Sequence, residues 1–492
     1  MTGELPTAAA LRRTGATAAT LAASEIVGKA ATLVMFLLMA RMLGVAQFGT
    51  LSLGFGLGLL VAIVSSLGLD ARLIQLGSAQ PELLERCYGA LLGIRALLCT
   101  VICAVTVPIL FRTMDRADAE AVMFIGLACL IDTFSDVARA CCGARQAQHR
   151  TAVVLVAQRF GAAALVGGAL VVDARAWVAA LAYLVATAGG AVGMYAAAAR
   201  VGVRPQFARS LPAARQIVRA APVMGLNDIA SMGLARIDTA LIAAMVGTSA
   251  VGVYSANYRI FETVLFVSWT LSRAFVPVVA SDADDPAQVR FWSQRAMLTM
   301  LAIYVPYGVV LGTRGDDLVG ALVGPEYVEP GLVAALALAP VLFGVAHLCG
   351  SVLLAIQPDP VVLVASVLAL VVNVGLNLLL IPALGIHGAA VATTLAFTVQ
   401  ASVLLTTLQR RTGRLVVLRQ LAGILLGSAA AALVCGVIGA VLLALALAAV
   451  AYLVVLVLVT RLVDPAFTAE ICRIGMSGSA EEAAVPSERT AC

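Results

Sequence analysis

The residues of this chain that could do chemistry are charges set inside apolar stretches. Lys29, Arg95, Arg159, Arg236, Arg259 and Arg273, with the acids Glu25, Asp132, Asp136, Asp238 and Glu262, all interrupt long hydrophobic runs. A lone charge in hydrocarbon costs from about 2.5–3.5 to more than 10 kcal/mol. Each should therefore pair, face water, or both. One set can be placed by counting from a turn centred near Ser249–Ala250. Asp238 lies 11 or 12 residues before that turn and Arg259 about 10 after; Arg236 lies about 13 before and Glu262 about 13 after. In antiparallel helices rising about 1.5 Å per residue, Asp238 matches Arg259 in depth and Arg236 matches Glu262. The spacing predicts a four-charge cluster of Arg236, Asp238, Arg259 and Glu262, either a static clamp between two helices or a gate whose pairs exchange during motion.

A second set lies earlier in the chain. Glu25 and Lys29, spaced i, i+4, are expected to pair along one helix. Arg95 is about 20 residues before a loop near Asp115 and Asp136 about 21 after it, so these two should meet. Asp132 is left without a partner. It is either a protonated structural carboxylate or, with Asp136, a site for a coupling proton or cation. Lys29, Arg95, Arg159 and Arg273, together with Arg236 and Arg259, are candidates to line a cavity for an anion, since guanidinium groups suit phosphate oxygens. Snorkelling or carboxylate pairing is the alternative, and Arg273, nearest a span end, is best placed to snorkel. Asn373 and Asn377, also i, i+4, form a polar face suited to interhelical hydrogen bonding. The ten cysteines and three histidines have no metal-site spacing, so no metal or cofactor is expected.

The elements holding these residues follow from composition. The 492 residues are 62% apolar and 12% charged, against about 45–50% and 25% in soluble domains. A soluble enzyme, a disulfide-rich secreted scaffold and a nucleic-acid binder are excluded. Apolar runs place the first six spans at about 21–43, 51–69, 89–111, 120–142, 151–172 and 176–199. Six more fall at about 220–246, 253–277, 293–313, 331–354, 361–381 and 388–408. The stretch from Leu421 to Thr460 is long enough for two further spans folded near Cys435–Gly439. The first apolar run is too long for a signal-peptide core and reads as a retained span. Of 32 basic residues, 31 are arginine; the alternation puts 21 on one face, 5 on the other and 6 within spans. That bias predicts cytoplasmic termini. The expected fold is an all-α polytopic membrane protein of about 14 transmembrane helices. Its parts are an N-terminal segment 1–20, an N-lobe 21–199, a basic linker 200–219, a C-lobe 220–408, spans 13–14 at 409–461 and a disordered tail 462–492.

The chain also repeats itself. LGVAQFGTLS (Leu43–Ser52) and VGTSAVGVYS (Val246–Ser255) place Gly44 and Gly247, Gly49 and Gly252, and Ser52 and Ser255 at one offset of 203 residues. Two pseudo-symmetric six-helix lobes, spans 1–6 and 7–12, follow from this register, with two helices appended. ARMLGVAQFGTLSLG (Ala40–Gly54), ARIDTALIAAMVGTSAVGVYSANYRI (Ala235–Ile260) and NVGLNLLLIPALGIHGAAVATTLAF (Asn373–Phe397) resemble the polysaccharide-unit flippases. These belong to the multidrug/oligosaccharidyl-lipid/polysaccharide exporter superfamily. The resemblance implies two inward-leaning bundles around a central cavity and alternating access. It further implies movement of a lipid-diphosphate-linked oligosaccharide, on a polyprenyl carrier, from the inner to the outer leaflet of the plasma membrane.

Polysaccharide polymerase and glycosyltransferases are the partners this implies, besides membrane lipids; nucleic acid is not, and a monomer is expected. The sole lysine, in VGKAA, is not followed by Ser or Thr, so no P-loop exists. A multidrug/cation antiporter of the same superfamily is the competing reading, disfavoured by six basic residues within spans. A membrane polymerase or glycosyltransferase is disfavoured further, because the longest outer loop expected is only Gly312–Pro330.

Overall fold

The computed structural model describes residues 8–207, 215, 221–357, 359–415 and 418–463. Among these residues the regular structure is entirely helical, as hydrocarbon demands of a chain that must satisfy its own backbone. The helices are α1 (Ala8–Ser66), α2 (Leu69–Ala79), α3 (Leu84–Thr113), α4 (Arg116–Ala144), α5 (Gln148–Val172) and α6 (Ala176–Arg200). Then come α7 (Ala221–Met245), α8 (Thr248–Glu262), α9 (Phe266–Ser281), α10 (Pro286–Leu322), α11 (Leu332–Leu336), α12 (Ala339–Ile356), α13 (Pro360–Leu384) and α14 (Ile386–Thr412). Finally α15 (Leu418–Val437) and α16 (Val441–Val463) form a hairpin.

Eleven helical stretches among the described residues are long and apolar enough to cross a bilayer. One of them, Val27–Ala79, contains the break in α1 at Gly44, where φ 73 and ψ 172 interrupt the helix. That left-handed φ is open to glycine and strained for other residues. A shorter apolar helix, Leu421–Val437, stands beside these eleven. The tail beyond residue 463 and most of the basic linker lie outside the described residues. Where a loop was expected at Gly312–Pro330, α10 runs on to Leu322, leaving 323–331 with a short 3-10 turn, Pro325–Tyr327. The polar residues do not end the helix because Arg314 pairs with Asp317 along it, at 2.8 Å.

Helices α1, α4, α5 and α6 pack on one another, as do α7, α12, α13 and α14, giving two lobes joined along α1, α7 and α8. The repeat found in the sequence is the joint. A Cβ on Gly49 would stand 1.9 Å from the Thr248 carbonyl oxygen, and one on Gly252 would stand 2.2 Å from the Val45 carbonyl oxygen. Thr248 is the 203-residue counterpart of Val45, so the contact is reciprocal about a pseudo-twofold axis. Small residues let these backbones approach within van der Waals range, which drives helix association where lipid offers no hydrophobic gain. Further links close the same end. Arg41 donates to the Ala321 (2.7 Å) and Leu322 (3.0 Å) carbonyls, capping α10, and Tyr327 Oη donates to the Ala40 carbonyl at 2.8 Å. An apolar cluster runs across the joint from Phe48 and Leu51 to Ile260, Leu311 and Tyr327.

At the opposite end the chain leaving α6 is strapped to α3. Glu85 accepts from the Arg204 backbone N–H (3.1 Å) and from Gln206 Nε2 (2.5 Å), and its carbonyl accepts from the Gln206 N–H (3.0 Å). The α15–α16 hairpin is moored on α10. Arg314 donates to the carbonyls of Cys435 and Ile438, which end α15, and Tyr452 Oη donates to the Ala302 carbonyl at 2.6 Å.

Gly252→Ala should lower thermal stability, because a methyl there meets a backbone carbonyl that no rotamer change can move, at a cost of about 1–3 kcal/mol. Gly93→Ala, inside α3 with open space around the new methyl, should be neutral or stabilising. Thermal unfolding of the purified proteins in detergent checks the pair. Equal melting temperatures would contradict the close crossing.

Candidate functional site

The charged hairpin sits where α8 ends. Its last turn gives way at 263–265 to α9, and both helices lie within one apolar stretch, Thr248–Ser281. The backbone groups released by the break are satisfied by α10. Tyr307 Oη donates to the Ile260 carbonyl, Tyr304 Oη donates to the Val264 carbonyl (3.1 Å), and Thr263 Oγ1 lies 2.7 Å from Tyr307 Oη. Irregular backbone at membrane depth needs such partners.

Three of the four expected charges meet at this break. Arg236 Nη2 is 2.6 Å from Glu262 Oε1 and Arg259 Nη1 is 2.8 Å from Glu262 Oε2, with side chains only 17–21% exposed. One carboxylate thus serves two guanidinium groups, leaving a net positive charge. Arg259 also lies 3.6 Å over the Phe36 ring of α1, a cation–π contact between the lobes worth about 0.5–2 kcal/mol. Both arginines line a narrow pocket between the lobes with Ser52 and Gly56 of α1 and Ser255 and Tyr258 of α8, closed down in this conformation to about 10 Å³, the space of a single water. Ser52 and Ser255 are repeat counterparts. Arg236 Nε and Ser52 Oγ are buried without a hydrogen-bond partner among the described residues.

Asp238 does not join Arg259, and the predicted fourth member is corrected. It is 1% exposed and accepts from Tyr254 Oη (2.9 Å), Thr393 Oγ1 (2.5 Å) and Asn377 Nδ2 (2.9 Å). Counting residues from the turn gave depth but not rotation. Residues two apart on a helix point about 200° apart, so Arg236 and Asp238 face opposite sides of α7. Asn377 Nδ2 also lies 3.0 Å from Asn373 Oδ1, extending the network along α13. Hydroxyls from α8 and α14 and an amide N–H from α13 thus converge as donors on one buried carboxylate of α7.

The earlier charges are arranged differently from their expected pairs. Arg95, fully buried, binds Asp70 at 2.5 Å, and Asp136 binds Arg139 at 2.6 Å. Arg95 therefore neither meets Asp136 nor lines the cavity. The short helix α2, which carries Asp70 under α3, is what the loop count left out. Asp132 is not alone either, since Gln158 Nε2 donates to it at 3.2 Å. Lys29 Nζ lies 3.8 Å from the Trp269 ring centre, a second cation–π link between α1 and the other lobe. Arg159 packs where a side chain on Gly28 would stand, and Arg273 is exposed. The side chain of Glu25 lies outside the described residues. Sequence reasoning passed over Tyr254, Thr393, Tyr304 and Tyr307; the one available signal was an aromatic or hydroxyl residue at the depth of a buried carboxylate or a helix break.

Comparison with known proteins agrees with this architecture. Residues 38–330 match the family described as polysaccharide biosynthesis protein. Two proteins of Haloferax volcanii are similar at 27% identity. They are the probable low-salt glycan biosynthesis flippase Agl15, over 33% of this chain and 35% of its own, and the probable flippase AglR, over 35% and 37%. The chain thus spans about a third of the length of the curated relatives it matches. Among solved structures, the lipid II flippase MurJ in an inward closed conformation has TM-score 0.63 at 13% identity, over 90% of this chain and 98% of that one. An inward-facing multidrug resistance MATE family transporter of the MOP superfamily has TM-score 0.67 at 14% identity, over 79% and 95%. At those identities the likeness is one of fold. The family match covers more than half of the chain, and this multi-pass membrane protein belongs to the polysaccharide biosynthesis protein family.

Proposed function

We propose that this chain is a transporter, not an enzyme, that flips a lipid-diphosphate-linked oligosaccharide from the inner to the outer leaflet of the plasma membrane for cell-surface polysaccharide assembly. One observation carries the reading: Arg236 and Arg259 share a single carboxylate at a cavity between the lobes, with buried donors left over. In low dielectric, that surplus positive charge attracts an anion such as a diphosphate and repels a cationic drug. The named flippases among its relatives support the same class of cargo. The arginine bias along the sequence supports cytoplasmic termini, with the Gly44 end outward. In that orientation the links at Gly49, Gly252, Arg41 and Tyr327 close the outer side, which alternating access requires while the cargo loads from within. Moving a net charge of about −2 outward is favoured by roughly 4–5 kcal/mol per 100 mV. A polymerase would consume the product and glycosyltransferases would supply the cargo.

Coupling to a proton or cation is assigned within the same proposal to Asp238, with Asp132 and Asp136 as the secondary candidates. Asp238 has only neutral hydrogen-bond partners, and an uncompensated carboxylate at this depth is too costly to stay bare. Asp136, by contrast, already has Arg139.

Arg236→Gln and Arg259→Gln should each slow flipping of a fluorescent polyprenyl-diphosphate oligosaccharide in proteoliposomes by on the order of 10–100-fold, the loss of a charge-assisted phosphate contact of about 1.5–3 kcal/mol. The exposed control Arg273→Gln should change the rate much less. Full activity in both cavity variants would defeat the phosphate reading. Asp238→Asn should abolish any dependence of the rate on a proton or sodium gradient while the protein still folds, whereas Asp132→Asn should keep it. Gradient dependence surviving in Asp238→Asn would move the coupling site elsewhere.

A further inference from the structure

A second cavity lies on the other side of α1 from the arginines. Leu57, Gly58 and Val61 of α1, Ile102–Leu110 of α3 and Val122–Leu130 of α4 line about 240 Å³ that is almost wholly apolar. An apolar cavity of about 150 Å³ already binds a benzene-sized guest. This one opens sideways between three membrane helices, so its available guest is an alkyl chain.

Its depth fits one leaflet. Along α3 the lining runs from three to eleven residues below Thr113, and along α4 from six to fourteen residues below Arg116. At about 1.5 Å per residue that is a slot from just under the head-group level to roughly 20 Å down, a little over half of a hydrocarbon core of about 30 Å. Just beyond the lined part of α3, in its last turn and in the link to α4, come Arg112 and Asp115, both exposed and with no hydrogen bond or ion pair from their side chains among the described residues. The neighbouring charges are accounted for: Arg116 binds Glu120 at 2.9 Å and Asp118 accepts from Thr50. A cation and an anion three residues apart at this level match a zwitterionic head, phosphate on the arginine and ammonium on the aspartate. The two cavities share no lining residue.

We infer that this slot is a binding site for one acyl chain of a zwitterionic phospholipid, phosphatidylethanolamine, in the leaflet on the Gly44 side, with the head group on Arg112 and Asp115. Packing supplies the affinity. An empty slot forfeits the dispersion contacts of its lining, and a chain held by three helices on one wall keeps them longer than a chain touching an exposed helix face. Gly126 offers a way to fill the slot, since a Cβ there meets nothing within 4 Å.

The test is photolabelling of the full chain in nanodiscs with phosphatidylethanolamine carrying a diazirine on one acyl chain, the adducts mapped by mass spectrometry. Adducts should be enriched on 102–110 and 122–130 over α16, whose Leu442 and Leu453 face lipid. Gly126→Leu should bring that enrichment down to the α16 level. Adducts spread evenly over α3, α4 and α16 in the unaltered protein would overturn the proposal without recourse to any variant, as would unchanged labelling in a folded Gly126→Leu protein. A diazirine-tagged polyprenyl phosphate labelling the same segments more strongly than the phospholipid would also overturn it, by making the slot a carrier site.

Discussion

Hydrocarbon offers no hydrogen bonds, and nearly every feature of this protein answers that constraint. A polar group at membrane depth must find its partner inside the protein. Glu262 holds two arginines, Asp238 is wrapped by Tyr254, Thr393 and Asn377, and the broken backbone between α8 and α9 is closed by Tyr304 and Tyr307. Removing water makes each of these arrangements stiff, because the cost of an unmade bond has no solvent to relieve it. Arg236 Nε and Ser52 Oγ are buried beside the Glu262 pair without a hydrogen-bond partner among the described residues.

The duplicated motif gives the molecule its joint. Glycine appears at Gly49 and Gly252 because two backbones cross there with no room for a side chain. A crossing made of carbonyls and glycines holds by contact, with few hydrogen bonds of its own, and Arg41 and Tyr327 add the directional bonds that fix its geometry. Such a seam can separate without stranding a buried charge. The charged centre lies deeper, beside the break in the hydrophobic stretch of α8 and α9. The cation–π contacts of Arg259 with Phe36 and of Lys29 with Trp269 tie the same two faces together along their length.

Helix α1 separates two chemically unlike spaces. One face, through Ser52 and Gly56, looks onto the arginines, and another, through Gly58 and Val61, looks onto hydrocarbon. Glycines occur on both faces, keeping the helix slim between them. This places a polar chamber and an apolar slot within one helix diameter, about 10 Å.

The amino-acid order by itself determined what is one-dimensional. Hydropathy marked the spans, the 203-residue offset marked the repeat that became the joint, and counting from a turn placed Arg236 level with Glu262. Rotation and neighbourhood were decided only by tertiary structure. Asp238 lies level with Arg259 yet faces the other way, because two residues turn a helix through about 200°. Arg95 passed over Asp136 for Asp70, which a short helix brings under α3. Partners such as Thr393, 155 residues from Asp238, leave no trace in local spacing. The physical reason is that depth accumulates along a helix axis one residue at a time, whereas which side chains touch depends on how whole helices turn and lean against one another.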